Sequence, residues 1–205
     1  GPLHAAVLAS SVDDARRALI DGSGSVNDRN SLNYTPLHRA AEDGLSELCS
    51  LLLEYKADVE ARDNNEATPL LLAAGGGHIN VLEVLVNAGA RVDALDEFQL
   101  GSLHYAAEAG MIDAIKFLIA AGADVNEREE NGKTPAQVAA GWGFKEAAAV
   151  LEDAGSEGAP SVKIEDANPA NLPDNMVPLY SSDAEMGKEN APQIPENLRP
   201  EKLEL

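Results

Sequence analysis

The 205-residue chain has few aromatic side chains, few basic side chains and almost no cysteine. Aromatic residues make up only 4% of it, so a core must be built mainly from Leu, Val, Ile and Ala, which suits thin, closely stacked helices. Cys49 is the only cysteine, so neither an internal disulfide nor a cysteine metal cluster can form. We therefore expect a reducing compartment, cytoplasmic or nuclear.

Basic residues are outnumbered, with 15 Lys and Arg against 35 Asp and Glu and a net charge of −20. The chain therefore has no excess of cations to displace the counterions of phosphates, which argues against nucleic acid or an anionic membrane as partner. A strongly acidic body favours a basic partner, although such a charge also serves plain solubility. No apolar run approaches membrane-spanning length, and no basic-then-apolar leader opens the chain. Because Gly1-Pro2 is also what a cleavage scar leaves, the targeting of the native protein stays open.

What the sequence does contain is internal repetition. Similar blocks begin at Gly1, Thr35, Thr68, Gly101 and Thr134, thirty-four residues apart and then thirty-three apart three times. Within a block, Thr followed by Pro predicts a capped helix start, and the following Ala pair allows close helix packing. A glycine then interrupts the helix, and a second apolar run follows. The predicted second helices are Val12 to Ile20, Glu47 to Glu54, Asn80 to Val86, Ile112 to Ile119 and Lys145 to Leu151, with C-terminal glycine signals at Gly22, Gly89, Gly122 and Gly155.

The run from Thr35 to Ala41, with its period and glycines, resembles the signature of the ankyrin repeat. The resemblance implies an all-α ankyrin-repeat solenoid of stacked helix pairs with short β-hairpin fingers, followed by an extended tail. It covers an ankyrin repeat domain, 1–155, with repeats at about 1–34, 35–67, 68–100, 101–133 and 134–155. The first and fifth repeats are expected to act as caps.

Some blocks depart from the signature. Leu71 and Gln137 replace the motif histidine, Gly101 and Ser102 replace Thr-Pro, and Glu66 and Gln99 stand where Gly132 provides the usual turn glycine. We expect the turns that lack this glycine to be less regular.

Residues 156–205 differ in composition from the repeats, with seven of the eleven prolines and ten acids against four bases. This composition predicts an extended or disordered acidic tail. The alternative is that its short apolar pieces, Met176 to Tyr180 and Ile194 to Leu205, dock on the repeats or on a partner.

The chemistry-bearing residues favour structure over catalysis. His4, His38 and His104 occupy the signature position, where the ring is expected to hydrogen-bond between neighbouring repeats. Such histidines lie about 10 Å apart, too far to share a metal whose bonds are about 2 Å long. Neither a phosphate-binding glycine loop nor a base partner for Cys49 is evident. We expect a protein that is not an enzyme, with no cofactor and no metal site.

The resemblance also implies where a partner binds. In ankyrin repeats the groove is lined by finger tips and by the first helices near the Ala pair. Matched residue by residue, the partner-binding positions are Tyr34, Arg39, Glu42, Asp43, Asn64, Asn65, Leu72, Glu97, Phe98, Leu100, Tyr105, Glu108, Glu130, Asn131, Lys133 and Trp142. Half of the eight aromatic residues fall in this set, and acids surround them, which suggests a groove for a peptide with Lys or Arg and apolar anchors. The alternative is that Phe98 and Leu100 close a finger and that Trp142 covers the terminal repeat.

Two short motifs carry weaker hypotheses. Leu118 with Asp124, Val125 and Asn126 resembles the ankyrin pattern for Asn hydroxylation by a 2-oxoglutarate oxygenase, but a structural role for Asn126 in the finger is favoured. Lys188 to Asn190 resembles the KEN degradation box, a three-letter motif that recurs by chance.

The sequence thus predicts a non-catalytic adaptor or escort, monomeric apart from its partner, that holds a basic protein segment such as one from a ribosomal protein or a histone. One alternative is a regulatory inhibitor of an enzyme such as a kinase. Another is an autoinhibited binder whose own tail occupies the groove.

Overall fold

The computed structural model describes residues 1–156 of the chain, which form five helix pairs. The helices are α1 (Pro2–Leu8), α2 (Val12–Ile20), α3 (Pro36–Glu42), α4 (Ser46–Glu54), α5 (Pro69–Gly76), α6 (Ile79–Asn87), α7 (Ser102–Glu108), α8 (Ile112–Ala120), α9 (Pro135–Trp142) and α10 (Lys145–Ser156). The predicted tail lies outside the described residues, apart from Ser156.

The helices form two layers. The first helices of successive blocks pack in the order α1, α3, α5, α7 and α9, and the second helices pack as α2, α4, α6, α8 and α10. Each helix pair contacts only its neighbours along the stack, so the prediction of an all-α repeat solenoid is confirmed. No β-strand occurs between residues 1 and 156, and no helix in that range is long and apolar enough to cross a membrane.

The helix starts follow the predicted chemistry. The hydroxyls of Thr35, Thr68 and Thr134 accept hydrogen bonds from backbone N–H groups in the first turn, and a proline follows each threonine. At Gly101 no side chain is available for capping. There the backbone N–H of Gly101 donates to Nδ1 of His104, so the helix start is held by the histidine alone.

The core is made of the residues that the repeat predicts. Each block contributes fully buried leucines such as Leu37, Leu70 and Leu103, and burying such a side chain stabilises a protein by about 1.5–3 kcal/mol. The Ala pairs are buried between consecutive first helices. In the last block one member of the pair, Ala140, is exposed, because no further described repeat packs on it, and in the first block Ala5 is exposed as well.

The expectation of less regular turns at Glu66 and Gln99 is wrong. Both residues adopt the left-handed conformation, with φ of 61° and 62°, close to the φ of 80° at Gly132. The three turns also close with the same backbone hydrogen bond, for example from Asp63 N–H to the Ala67 carbonyl. Neighbouring repeats impose the turn, and the non-glycine residues accept its strain. The predicted hairpin fingers are therefore closed turns without strand pairing in the described chain.

Gly155 was expected to end the last helix, and this is also wrong. Helix α10 continues to Ser156, whereas Gly22, Gly89 and Gly122 lie just beyond their helices with positive φ. At those three glycines the chain must turn back toward the next finger and repeat. No such described repeat follows α10, so nothing forces a left-handed residue there.

Candidate protein-binding groove

Histidines set the register between neighbouring repeats. Nε2 of His38 donates to the carbonyl of Ala67, 3.1 Å away, and Nε2 of His104 donates to that of Lys133 at the same distance. In both residues Nδ1 accepts a backbone N–H, which requires the neutral ring. Burial lowers the pKa of both His38 and His104, consistent with that neutral form. These bonds hold the fingers that end at Ala67 and Lys133 against the first helix of the repeat before each of them.

Three of the fingers are each closed by an acidic side chain, and in the first finger Asn30 takes this place. One carboxylate oxygen of Asp96 accepts the backbone N–H groups of Phe98 and Leu100, both at 2.8 Å. Asp63 does the same in the finger before it. In the last finger Glu129 accepts from the backbone of Asn131 and Lys133. These three acids are buried and belong to the scaffold, so they are not free to bind a partner.

Successive fingers are joined to one another. Backbone N–H groups donate from Asn64 to the Leu32 carbonyl, from Glu97 to Asn65, and from Glu130 to Phe98. The fingers therefore form a continuous ledge beside the first helices. We call the ledge and the adjoining faces of α3, α5, α7 and α9 the groove.

The C-terminal end of the groove contains a cleft of about 450 Å³. We call it the C-terminal cleft. Its walls come from the last two fingers and from α7 and α9, and its lining residues are Phe98, Leu100, Glu108, Glu129, Glu130, Asn131, Lys133, Gln137, Val138, Gly141 and Trp142. The concave surface predicted from the sequence is thus an actual depression at this end.

Comparison with known families identifies the architecture. One family model, described as ankyrin repeats in three copies, matches residues 3–96, and a second, described as ankyrin repeats in many copies, matches residues 103–152. The chain belongs to the ankyrin repeat family. A search of curated proteins found no match to the chain. Ankyrin repeats are generally protein–protein interaction modules and typically non-catalytic binding scaffolds, so the family indicates a protein partner.

The predicted binding residues of this ankyrin groove divide into two groups. Phe98, Leu100, Glu108, Glu130, Asn131, Lys133 and Trp142 come together in the C-terminal cleft. Tyr34, Arg39, Glu42, Asp43, Asn64, Asn65, Leu72, Glu97 and Tyr105 lie outside its lining. The structure thus concentrates about half of the predicted set at one end, and a partner contact for any of these residues remains a prediction.

At the N-terminal part of the groove the charges pair within the chain. Nε of Arg39 lies 2.7 Å from a carboxylate oxygen of Asp43, and Nη1 lies 3.3 Å from one of Glu42. The ring of Tyr34 stacks on His38, with ring centroids 5.3 Å apart. In this region one of the two acidic charges is therefore balanced by Arg39 within the chain.

Tyr105 occupies the same repeat position as Arg39 but makes a different contact. Its hydroxyl donates to Asp96 across 3.0 Å, and burial together with the Asp96 charge raises the pKa of Tyr105 well above its usual range. The half-buried tyrosine therefore supports the finger that carries Phe98 and Leu100. Whether its ring also contacts a partner remains a prediction.

In the C-terminal cleft several of the predicted binding residues are exposed. Phe98 is 49% exposed and Trp142 is 66% exposed, so Trp142 does not serve as a buried cover for the terminal repeat. The exposed side chains of Glu108 and Glu130 make no ion pair or hydrogen bond within the described chain. Aromatic surface and uncompensated acids thus occur together here.

Sequence reasoning missed four residues of the cleft lining, namely Glu129, Gln137, Val138 and Gly141. The repeat register could have identified the last one, since Gly141 falls where Glu42 and Glu108 stand in their blocks. A Cβ placed on Gly141 would meet no atom within 4 Å. The missing side chain therefore helps to open the cleft.

The remaining candidates have simpler surroundings. Asn126 is exposed, and its backbone N–H donates to Asp124, but nothing in the structure bears on its hydroxylation. The motif from Lys188 to Asn190 lies outside the described residues. Burial raises the pKa of Cys49 to about 12, so its thiol is not a nucleophile near neutral pH. Within residues 1–156 no cluster of His, Cys, Asp and Glu could hold a metal.

A second depression of about 650 Å³ lies on the outer layer, between α4 and α6. Leu53, Ala57, Val59, Val84 and Ala88 give it a mainly apolar lining. Its two charged lining residues, Glu54 and Lys56, have opposite signs, so it lacks the acidic character of the C-terminal cleft. We call it the outer cleft.

Proposed function

We propose that this ankyrin repeat protein is a non-catalytic adaptor or escort that holds a basic protein segment in its groove. A segment of a ribosomal protein or of a histone has the required chemistry. The observation that supports this proposal most strongly is the C-terminal cleft, where exposed Phe98 and Trp142 lie with the carboxylates of Glu108 and Glu130, which no group of residues 1–156 pairs. Tryptophan and other large anchors dominate binding energy in protein interfaces.

The charge of the whole repeat domain supports the same partner class. Residues 1–155 contain 25 acidic and 11 basic residues, so a basic segment would be attracted from a distance. Long-range attraction of this kind raises the association rate, whereas the contacts in the cleft would determine the dissociation rate.

Capture of basic proteins at increasing salt tests the proposal. Immobilised full-length protein should retain a purified histone or ribosomal protein at about 50 mM salt and release most of it at about 500 mM, because salt shortens the range of charge interactions. The double variant Trp142→Ala with Phe98→Ala should retain less at low salt, whereas Leu8→Ala, which removes an exposed side chain far along the stack, should not. Retention that ignores salt and survives the double substitution would overturn the proposal.

The outer cleft favours a second candidate, a regulatory inhibitor of an enzyme such as a kinase that binds through shape and apolar contacts. Its lining offers apolar surface with little net charge. An enzyme partner retained at high salt and lost on Val84→Ser, but not on Trp142→Ala, would support this candidate over the first.

A further inference from the structure

Two acids at equivalent positions in the groove, Glu42 and Glu108, differ in whether a basic side chain pairs with them. In the second repeat, Arg39 reaches Glu42 three residues later and Asp43 four residues later. In the fourth repeat, Glu108 keeps the place of Glu42, but Tyr105 has replaced the arginine. The tyrosine hydroxyl bonds Asp96, and no cation pairs with Glu108 within residues 1–156.

The fifth repeat supplies space and an aromatic surface next to that carboxylate. Gly141 stands where Glu108 stands one repeat earlier, and the place of its missing side chain is empty. The following residue, Trp142, is two-thirds exposed, and no hydrogen bond engages its indole within the described chain. Both residues line the C-terminal cleft together with Glu108 and Glu130.

We propose that the C-terminal cleft binds one arginine side chain of the partner segment, which takes the place that Arg39 fills within the chain in the second repeat. This inference rests on the proposed function and specifies the residue that the cleft recognises. The guanidinium pairs with Glu108 and Glu130 and packs on the face of Trp142, while an adjoining apolar residue of the partner covers Phe98 and Leu100.

The chemistry of the lining favours arginine over lysine. A guanidinium is planar, less strongly hydrated than an ammonium, and able to stack on an aromatic face while it bonds a carboxylate. Glu129 does not contribute, because both of its oxygens are occupied by backbone N–H groups of the finger.

The cleft also limits how many cations it accepts. Lys133 is the only basic residue in its lining and is exposed at the end of the last finger. It repels a second cation in a neighbouring position. A single arginine beside an apolar residue therefore fits better than an uninterrupted basic run.

Trp142 is the only tryptophan in the chain, so its fluorescence reports directly on the cleft. The full-length protein is titrated with three end-blocked peptides, Gly-Leu-Arg-Leu-Gly and the versions with Lys or citrulline in place of Arg. Citrulline keeps the shape of arginine without its charge. We expect a change in Trp142 emission with an affinity for the Arg peptide about threefold above the Lys peptide and about tenfold above the citrulline peptide.

Two variants at one position separate filling of the cleft from effects on folding. Gly141→Leu should abolish the preference for arginine by filling the opening, whereas Gly141→Ala should retain most of that preference. Leucine and alanine both favour helix more than glycine does, so neither substitution should weaken the helix. Equal affinity for the three peptides, or full arginine preference in Gly141→Leu, would overturn the inference. If basic proteins are still captured in a salt-sensitive manner, the proposed function survives that result. If they are not captured either, both fail.

Discussion

The two halves of the groove are built from the same kind of repeat, but they differ in whether their acidic side chains are paired within the described chain. Around the second repeat, Arg39 pairs with both Glu42 and Asp43 within the chain. Around the fourth and fifth repeats, Glu108 and Glu130 have no such partner among the described residues, and Trp142 is exposed in the same cleft. A repeat scaffold thus keeps its fold while a few surface positions determine whether its acids are paired within the described chain.

The same contrast appears at the junctions between repeats. In the repeat register Thr68 corresponds to Gly101, and the buried Ala94 corresponds to Glu127. The earlier junction thus has a larger residue at the first position and a small one at the second, and the later junction has the reverse. There the carboxylate of Glu127 occupies the space that a side chain at Gly101 would fill. The C-terminal half therefore contains a partly buried acid where the N-terminal half has a methyl group.

The largest expected effect on stability concerns Tyr105 and Arg39, which share one repeat position. Tyr105→Phe removes the hydrogen bond to Asp96, and we expect it to lower the free energy of unfolding by about 2 kcal/mol, as for bonds to charged groups. Arg39→Ala breaks only exposed ion pairs and should cost about 0.5 kcal/mol. Urea denaturation of both variants checks the difference, with Tyr34→Phe as a control. Equal losses would show that Tyr105 does not support the finger.

A smaller effect depends on pH. Burial, with smaller contributions from Asp124 and Asp93, raises the pKa of Glu127 to about 7, against an ordinary value of 4.5. Because the folded state binds this proton more tightly than the unfolded state, the contribution of Glu127 to stability is complete below about pH 4.5 and declines as pH rises through 7. The group is half exposed, so solvent screening reduces the loss to about 1 kcal/mol.

Replacing the acid tests this junction. Glu127→Gln should raise the free energy of unfolding at pH 8 relative to the parent protein and leave it nearly unchanged at pH 4.5. Melts at both pH values give the comparison. An equal difference at the two pH values would contradict the assignment to Glu127.

The smallest expected effects concern the finger turns. Glu66→Gly and Gln99→Gly relieve a positive φ at a non-glycine residue, and each should stabilise the fold by about 0.5–1 kcal/mol. The reciprocal change Gly132→Ala should destabilise it by about 1 kcal/mol, and it meets no neighbouring atom that would add a steric cost. Stabilities that move in the opposite directions would mean that the turns differ in shape after all.

Much of the fold could be predicted from the sequence because the same helix-start and helix-end signals recur in several blocks. Thr35, Thr68 and Thr134 all cap helices, and the second helix from Val12 to Ile20 has its predicted ends. The two wrong expectations, for the turns without glycine and for the end of the last helix, each depended on the residue type at a single position. At Gln99 contacts between repeats outweigh the local preference of the turn for glycine, whereas at Gly155 no described repeat follows that would require the helix to end there.

The candidate site was less predictable for a related reason. The family pattern placed Phe98, Glu108 and Trp142 on the groove surface, but it could not distinguish an engaged side chain from a free one. The bond of Tyr105 to Asp96 and the pairing of Arg39 depend on three-dimensional contacts with neighbouring groups. The opening at Gly141 results from a missing side chain, and it is recognised only by comparison with the side chains at the same position in other repeats.

The most direct test of the account compares two double variants that each remove two negative charges. Glu108→Gln with Glu130→Gln acts in the C-terminal cleft, and Glu42→Gln with Asp43→Asn acts in the second repeat. Calorimetric titration with one basic protein segment should show a loss of affinity of at least about tenfold for the first pair and a change within about twofold for the second. Equal losses would contradict the account, because binding would then depend on overall charge and not on the unpaired acids beside Trp142.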